Sequence, residues 1–263
     1  MNSVLVVIDS KDRSSYSLST NDFNINYPNN QILTRIKSFF VKSVTVPNVE
    51  YNIHDTYQNG GTILEPANNL LYIETFGGGL QPVITVPIGQ YSLVQLINEI
   101  KNSPTGLAVG LNIVQDPVTF KLTFTSTSPG GIKIYSYVDN STIAPNIGIL
   151  QTTPIFSASI ISDGLPSLAG NQNVYIGSAA LASGTSLIDA RFNNLQVITT
   201  IPMNQNFGDV VHYETFDYVK DTIDVNGYLN LRNIDIKLYN DYGASLDLKG
   251  EPFTMIIKAY YDP

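Results

Sequence analysis

LNLRNIDIKLYNDYGASLDLKGEPFTMIIKAYY, Leu229 to Tyr261, decides the fold class. Ile234, Ile236 and Leu238 alternate with Asp235, Lys237 and Tyr239. A period of two gives one apolar face and one wet face, as in a half-buried β-strand. Asn240-Asp241-Tyr242-Gly243 then reads as a turn. Leu246 and Leu248 form a short second run, which Gly250-Glu251-Pro252 breaks. In the last run Phe253, Met255, Ile257 and Ala259 alternate with Thr254, Ile256, Lys258 and Tyr260. A strand this near a terminus stays ordered when it is tied into a sheet. The chain therefore reads as a β-sheet protein closed by its own C-terminal strand.

The pattern extends upstream. Ser3–Ile8 is a short apolar strand, followed by the charged turn Asp9-Ser10-Lys11-Asp12-Arg13. Main strands are expected at 22–27, 36–46, 70–76, 173–178, 192–201, 209–215, 230–239 and 253–261. In 36–46 both parities carry apolar groups, which points to a central strand. Eight antiparallel strands in two sheets make a jelly roll. Residues 78–169 change character. They hold a strand at Val83–Pro87, a helix at 92–102, and two strands, Thr119–Thr125 and Ile132–Val138, joined as a hairpin through Ser128-Pro129-Gly130-Gly131. In the helix, Ser92 and Gln95 are spaced as a capping box, and Leu93, Leu96, Ile97 and Ile100 make one apolar stripe. Ser103-Pro104 and Gly106 read as its stop. The expectation is an all-β, antiparallel jelly-roll sandwich, residues 1–77 plus 170–263, with an inserted α+β lobe at 78–169 carrying one helix.

Composition excludes several functions. The 263 residues suffice for one large β-domain or two smaller ones, and carry a net charge of −8. An acidic chain without a basic run does not bind nucleic acid non-specifically. There is no cysteine, hence no disulfide, thiolate metal site or cysteine nucleophile. Charged residues are only 14% of the chain, so Asn, Gln, Ser and Thr supply the polarity. The apolar run Val4–Ile8 is too short for a signal core or a membrane span, which predicts a soluble product made without a secretory signal.

Candidate chemistry is sparse. His54 and His212 are the only histidines and share no ligand spacing. Asp221 to Gly227 has a faint calcium-loop look but lacks the leading D-x-D and the closing Glu. Gly77-Gly78-Gly79 precedes neither Lys-Ser/Thr nor a helix. Gly184-Thr185-Ser186 fails G-x-S-x-G because Ile188 replaces the last glycine. Spacing does not exclude a pair of carboxylates for glycoside hydrolysis, but the acidic residues sit mainly in turns and on outward parity, where solvation explains them. No catalytic, metal or cofactor residue is expected. The turn at Asp9–Arg13 is the candidate assembly contact, through Lys11, Asp12 and Arg13; its plain alternative is a solvated turn.

Several segments, in order, resemble the penton or minor capsid proteins of virophages, polinton-like elements and related large DNA viruses of eukaryotes. They are Ile8-Asp9-Ser10-Lys11-Asp12-Arg13 with Asp22-Phe23; Pro47-Asn48-Val49-Glu50-Tyr51-Asn52; and Val86-Pro87-Ile88-Gly89-Gln90-Tyr91-Ser92 with Leu96. Asn194-Leu195 to Pro202 with Phe207-Gly208 comes next, then Leu231 to Leu248 with Gly250-Glu251-Pro252-Phe253. The resemblance implies a non-enzymatic virion protein. It would be a homo-oligomer, a pentamer, at the five-fold vertices of an icosahedral shell beside a major capsid protein, made in the host cytoplasm. A glycan- or host-binding jelly roll, such as a fibre head, is the alternative reading.

Overall fold

The computed structural model describes residues 2–14, 19–27, 32–59, 62–153, 155–182, 196–215 and 222–262. The chain divides into two compact units: Met1–Glu50 with Asn171–Pro263, and Tyr51–Gly170.

The first unit is a jelly roll. Its strands are β1 (Asn2–Asp9), β2 (Asp22–Asn26), β3 (Ile36–Pro47), β4 (Asn173–Gly177), β5 (Val197–Pro202), β6 (Val210–Glu214), β7 (Ile223–Leu229), β8 (Asn233–Tyr239) and β9 (Thr254–Tyr261). One sheet runs β1-β9-β3-β6, and β7 continues the β6 side by pairing with the start of β3. The other runs β5-β4-β8-β2. All pairings are antiparallel. This order, in which the chain crosses repeatedly between sheets, is the double Greek key. Alternation selects the buried face. Val6 and Ile8, Met255 and Ile257, Phe23 and Ile25, and Ile234, Ile236 and Leu238 all enter one core. Phe23 and Phe253 meet there, with ring centroids 6.1 Å apart.

β3 is central, as its pattern suggested, with β9 on one side and β6 and β7 on the other. Its two apolar parities, however, are not two buried faces. Ile256 pairs with Ser43 but Ile257 with Val41, and Tyr260 pairs with Ser38 but Tyr261 with Ile36. Lys42 and Lys37 are therefore extra residues, and each bulge flips the parity of the strand beyond it. The bulges bring Ile36, Phe39, Val41, Val44 and Val46 into the same core. Phe40 alone among the large apolar side chains of β3 faces outward; it is still buried, 6.4 Å from the Tyr260 ring.

The strand list changes as well. Asn2–Asp9 is a full jelly-roll strand, whereas residues 70–76 lie in the second unit. There Leu70–Leu71 pairs with Ile84–Thr85, and Ile73–Thr75 pairs with Ile132–Ile134. Residues 51–77, expected in the jelly roll, make their pairings with partners inside 51–170, Ile53 with Gly89 among them. The first division thus falls at Glu50/Tyr51 rather than 77/78.

The second unit holds several small antiparallel sheets around its own core. Helix α1 (Leu93–Asn102) has both arms of its capping box: Gln95 N–H donates to Ser92 Oγ (3.3 Å), and Ser92 N–H donates to Gln95 Oε1 (2.8 Å). Leu96, Ile97 and Ile100 are its buried stripe. Replacing Ser92 with alanine removes one arm, and a loss of about 1 kcal/mol is expected in urea unfolding. The residues read as a stop do end α1 at Asn102, and they also begin a second helix, α2 (Pro104–Ala108). Ser103 caps it by accepting Gly106 N–H at 3.0 Å, and proline at its first position needs no donor.

The expected hairpin at 119–138 is a corner. Leu122–Thr125 pairs with Asn112–Gln115 and Ser159–Ile161, while Ile132–Ile134 pairs with Ile73–Thr75. Gly130 and Gly131 both take positive φ (77° and 84°), and a Cβ on Gly131 would stand 2.2 Å from the Ser157 carbonyl carbon. Those two glycines turn the chain from one sheet into another.

Candidate functional site

The candidate assembly residues follow directly on the first strand of the jelly roll. β1 ends at Asp9, which caps a 3₁₀ turn at Ser10–Asp12. Asp9 Oδ1 accepts Lys11 N–H (2.9 Å), and Oδ2 accepts the Thr254 hydroxyl (3.3 Å). Ser10 is buried. It donates N–H to Phe253 O (2.9 Å), and its Oγ accepts Phe253 N–H (2.9 Å). Arg13 Nη1 donates to Ser10 O at 2.8 Å. Asp9 and Ser10 are thus fastened to β9, while Lys11, Asp12 and Arg13 stand exposed beyond them.

Nearby, the Tyr27 hydroxyl donates to Val7 O. Burial, with the Asp12 charge second, pushes the Tyr27 pKa from 10.0 up to about 12. The neutral phenol is therefore the stabilising form. Its contribution is complete below pH 10 and is lost as pH rises through about 12. Unfolding curves across that window should fall less steeply for Tyr27→Phe than for the parent chain.

At the opposite edge of the same sheet, β6 lies beside β3. The register sets Thr45 against His212 and Ser43 against Glu214. With β9 and β1 the row reads Asp9–Thr254–Thr45–His212, and Thr45 Oγ1 lies 3.1 Å from His212 Nδ1. Ser43, Thr45, Asn204, His212 and Glu214 line an open recess of about 570 Å³. Sequence reasoning did not single out this set. Its members come from three separated segments joined only by strand register, and only the polar parity of His212 and Glu214 hinted at an exposed face.

The remaining candidates scatter. His54 lies in the second unit, buried and stacked on Tyr57 at 4.3 Å between ring centroids, with Nδ1 2.7 Å from Asp55 O. Burial lowers its pKa, against the opposing pull of the Asp55 carbonyl and charge. Gly77–Gly79 is a turn between two short paired strands, with positive φ at both ends. Asp224 stands in β7, Asp221 lies outside the described residues, and so does the segment Gly184 to Ile188. Among the described residues, no group of three or more His, Asp or Glu could hold a metal ion. No helix among them is long and apolar enough to cross a membrane.

Two carboxylates that the sequence leaves to solvent, Asp235 on the outward parity of a strand and Asp241 in a turn, hold backbone instead. Asp235 accepts from Ala179 N (2.8 Å) and Ala180 N (2.9 Å). Asp241 accepts from Gln172 N (2.5 Å), Asn173 N (3.2 Å) and Asn173 Nδ2 (2.9 Å). Their oxygens brace the start and end of β4.

No protein-family model matches the sequence, and no curated protein matches it. Among solved structures, the mavirus penton protein matches over 99% of this chain and 100% of its own, with a TM-score of 0.55 and 9% identity. The fold is that of the mavirus penton protein. A chain in the structure of the Sputnik virophage matches equally well, TM-score 0.55 with 13% identity, over 99% of this chain and 98% of that one. Identities this low carry the penton fold and no individual residue.

Proposed function

We propose that the chain is a structural virion protein: the penton subunit at the five-fold vertices of an icosahedral capsid. It acts by self-assembly into a homopentamer and by contact with a major capsid protein, without catalysis or cofactor. The observation that carries the reading is the extent of the likeness. Nearly the whole of this chain, both compact units included, corresponds to the whole of the mavirus penton chain. A jelly roll alone hosts many functions; the same jelly roll with the same large insertion is a narrower match. A closed ring repeats one heterologous contact, flank to opposite flank, and the sandwich, whose edge strands take no further strand among the described residues, offers such flanks.

Native mass measurement and imaging of the purified chain test this, alone and co-expressed with the major capsid protein of the same virus. Closed rings of five, or incorporation at shell vertices, are expected. A persistent monomer left out of shells that assemble normally refutes the proposal.

A further inference from the structure

The recess beside β6 gathers polar side chains that the chain itself does not use. Val44, Val46 and Val211 point into the core, so Ser43, Thr45, His212 and Glu214, on the alternate parity, share the outer face of the sheet. The register sets them as two cross-strand pairs, Thr45 with His212 and Ser43 with Glu214. Asn204 joins them from the connection between β5 and β6. That connection is fastened on either side of Asn204: Met203 N–H donates to Gln172 O (2.7 Å), and Asn48 Nδ2 donates to Gln205 O (2.8 Å). Paired strands and a tied turn therefore fix these positions before any ligand arrives.

The side chains are free to bind. Thr45 Oγ1 lies 3.1 Å from His212 Nδ1, which orients the imidazole and leaves its Nε2 side for a ligand. Among the described residues, the side chains of Ser43, Asn204 and Glu214 take no hydrogen bond or ion pair. Asp235 and Asp241, by contrast, are consumed by backbone N–H groups.

Size and chemistry narrow the ligand. About 570 Å³ falls within the range of small-molecule sites, about 300–1,000 Å³. No lysine or arginine lines the recess, and the Glu214 carboxylate only accepts, so phosphate, sulfate and acidic sugars are repelled. His212 and Glu214 make two metal ligands, and no third His, Asp or Glu joins them among the described residues. An apolar ligand would strip water from a carboxylate, an amide and two hydroxyls without replacing it. A sugar hydroxyl both donates and accepts. Neighbouring ring hydroxyls can donate to Glu214 and accept from the Asn204 amide and the imidazole, with Ser43 serving either way.

We propose that this recess binds a neutral saccharide, held by Ser43 on β3, His212 and Glu214 on β6, and Asn204. The site adds to the structural role above and does not depend on it.

Saturation-transfer difference NMR on the full chain tests this, with galactose, glucose, mannose, N-acetylglucosamine and fucose as probes and free sialic acid as the charged counterpart. Transfer to the ring protons of at least one neutral sugar is expected, and none to sialic acid. Asn204→Ala and Glu214→Gln alter exposed side chains, and circular dichroism matching the parent shows that both are folded. Each should weaken binding at least about 10-fold, since each removes a hydrogen bond to the sugar. Immobilised glycans ending in the same sugar separate two sources: capture of the parent chain means a displayed glycan, binding of the free sugar alone means a soluble one, and either supports the site. No transfer to any neutral sugar at millimolar concentration overturns the proposal. Binding that both variants leave unchanged also overturns it, because the sugar then sits elsewhere. Transfer to L-arginine and to no sugar gives the recess to a cationic side chain instead. None of these results bears on ring formation, so the penton reading stands or falls by its own experiment.

Discussion

Phe253→Ala lowers the stability of the jelly roll by about 3–5 kcal/mol, the range for deleting a large aromatic from a packed core. Phe253 is fully buried and leads into β9, with its ring against Phe23 of β2 in the opposite sheet. It therefore joins the two layers rather than filling a gap in one. Its backbone also matters: its carbonyl and N–H hold Ser10, and through Ser10 the turn that carries Lys11 and Arg13. Neighbouring side chains of the two sheets cannot close a phenyl-sized void without moving whole strands, so the cavity contribution stays large. Urea unfolding followed by fluorescence and circular dichroism measures the change. A loss under about 1 kcal/mol would mean that the sandwich relaxes freely around the site. Phe253→Leu keeps most of the volume and should recover the greater part of the stability.

The same stretch explains what was legible in the sequence. Strands β8 and β9 announce themselves because one face is wet and the other dry, and a two-residue period records that directly. β3 does not, because Lys37 and Lys42 are bulge residues and each resets the parity. Without the register, one buried face looks like two half-apolar ones. The span 70–76 shows a different gap: periodicity reports that a strand is half-buried, not which strand it will meet. Thr75 and Ile73 pair with Ile132 and Ile134, a choice set by the glycine corner at 130–131, whose need is steric and invisible in a hydropathy pattern. Pro104 and Gly106 disclose only half of the local structure: α1 does end at Asn102, but a second helix starts at Pro104. Proline ends one helix and begins the next with equal ease, and only the Ser103 cap tells which. As for the candidate sites, Lys11, Asp12 and Arg13 stand out in the sequence as a charged turn, but the recess beside β6 does not. Its residues lie on three segments that meet only after β3 and β6 pair.

The low charge content takes on a second meaning in the folded chain. Neutral polar side chains suit subunit contacts, because pairing them avoids the cost of desolvating ions. Many of them are already engaged inside each unit, standing in for regular secondary structure. Asn240 is fully buried; its Oδ1 accepts from Tyr242 N and Ala244 N, each at 3.0 Å, and its Nδ2 donates to Glu50 Oε1 at 3.1 Å. Long irregular connections leave backbone groups that must be satisfied somewhere. In this chain Asn, Asp and Ser side chains do much of that, which lets extended loops stay ordered without helices.

Asn52 shows how much one such side chain carries. It is nearly fully buried in the second unit. Its Oδ1 accepts Tyr91 N–H (2.9 Å), and its Nδ2 donates to Tyr91 O (2.8 Å) and Leu168 O (3.3 Å). Its carbonyl accepts from Asn68 Nδ2 at 2.8 Å, and its N–H donates to Gln90 Oε1 at 3.1 Å. Thus Pro47-to-Asn52 and Val86-to-Ser92, two of the segments that carried the family resemblance, meet through this residue, just before the cap of α1. Asn52→Ala strips the partners from both Tyr91 backbone groups at once. An orphaned buried group costs about 1–3 kcal/mol, and water entering the alanine-sized space returns part of it, so a net loss of about 3 kcal/mol is expected. Asn52→Asp separates the terms: it keeps the acceptor for Tyr91 N–H, loses the donor to Tyr91 O and Leu168 O, and adds a buried charge. It should therefore be no more stable than the alanine variant at neutral pH, and should gain on it as acid protonates the carboxyl. Hydrogen exchange at Tyr91 and the first turn of α1 locates the damage. Full protection there in Asn52→Ala, together with unchanged urea unfolding, would mean that the helix entry is held by its own capping box and that the asparagine is replaceable.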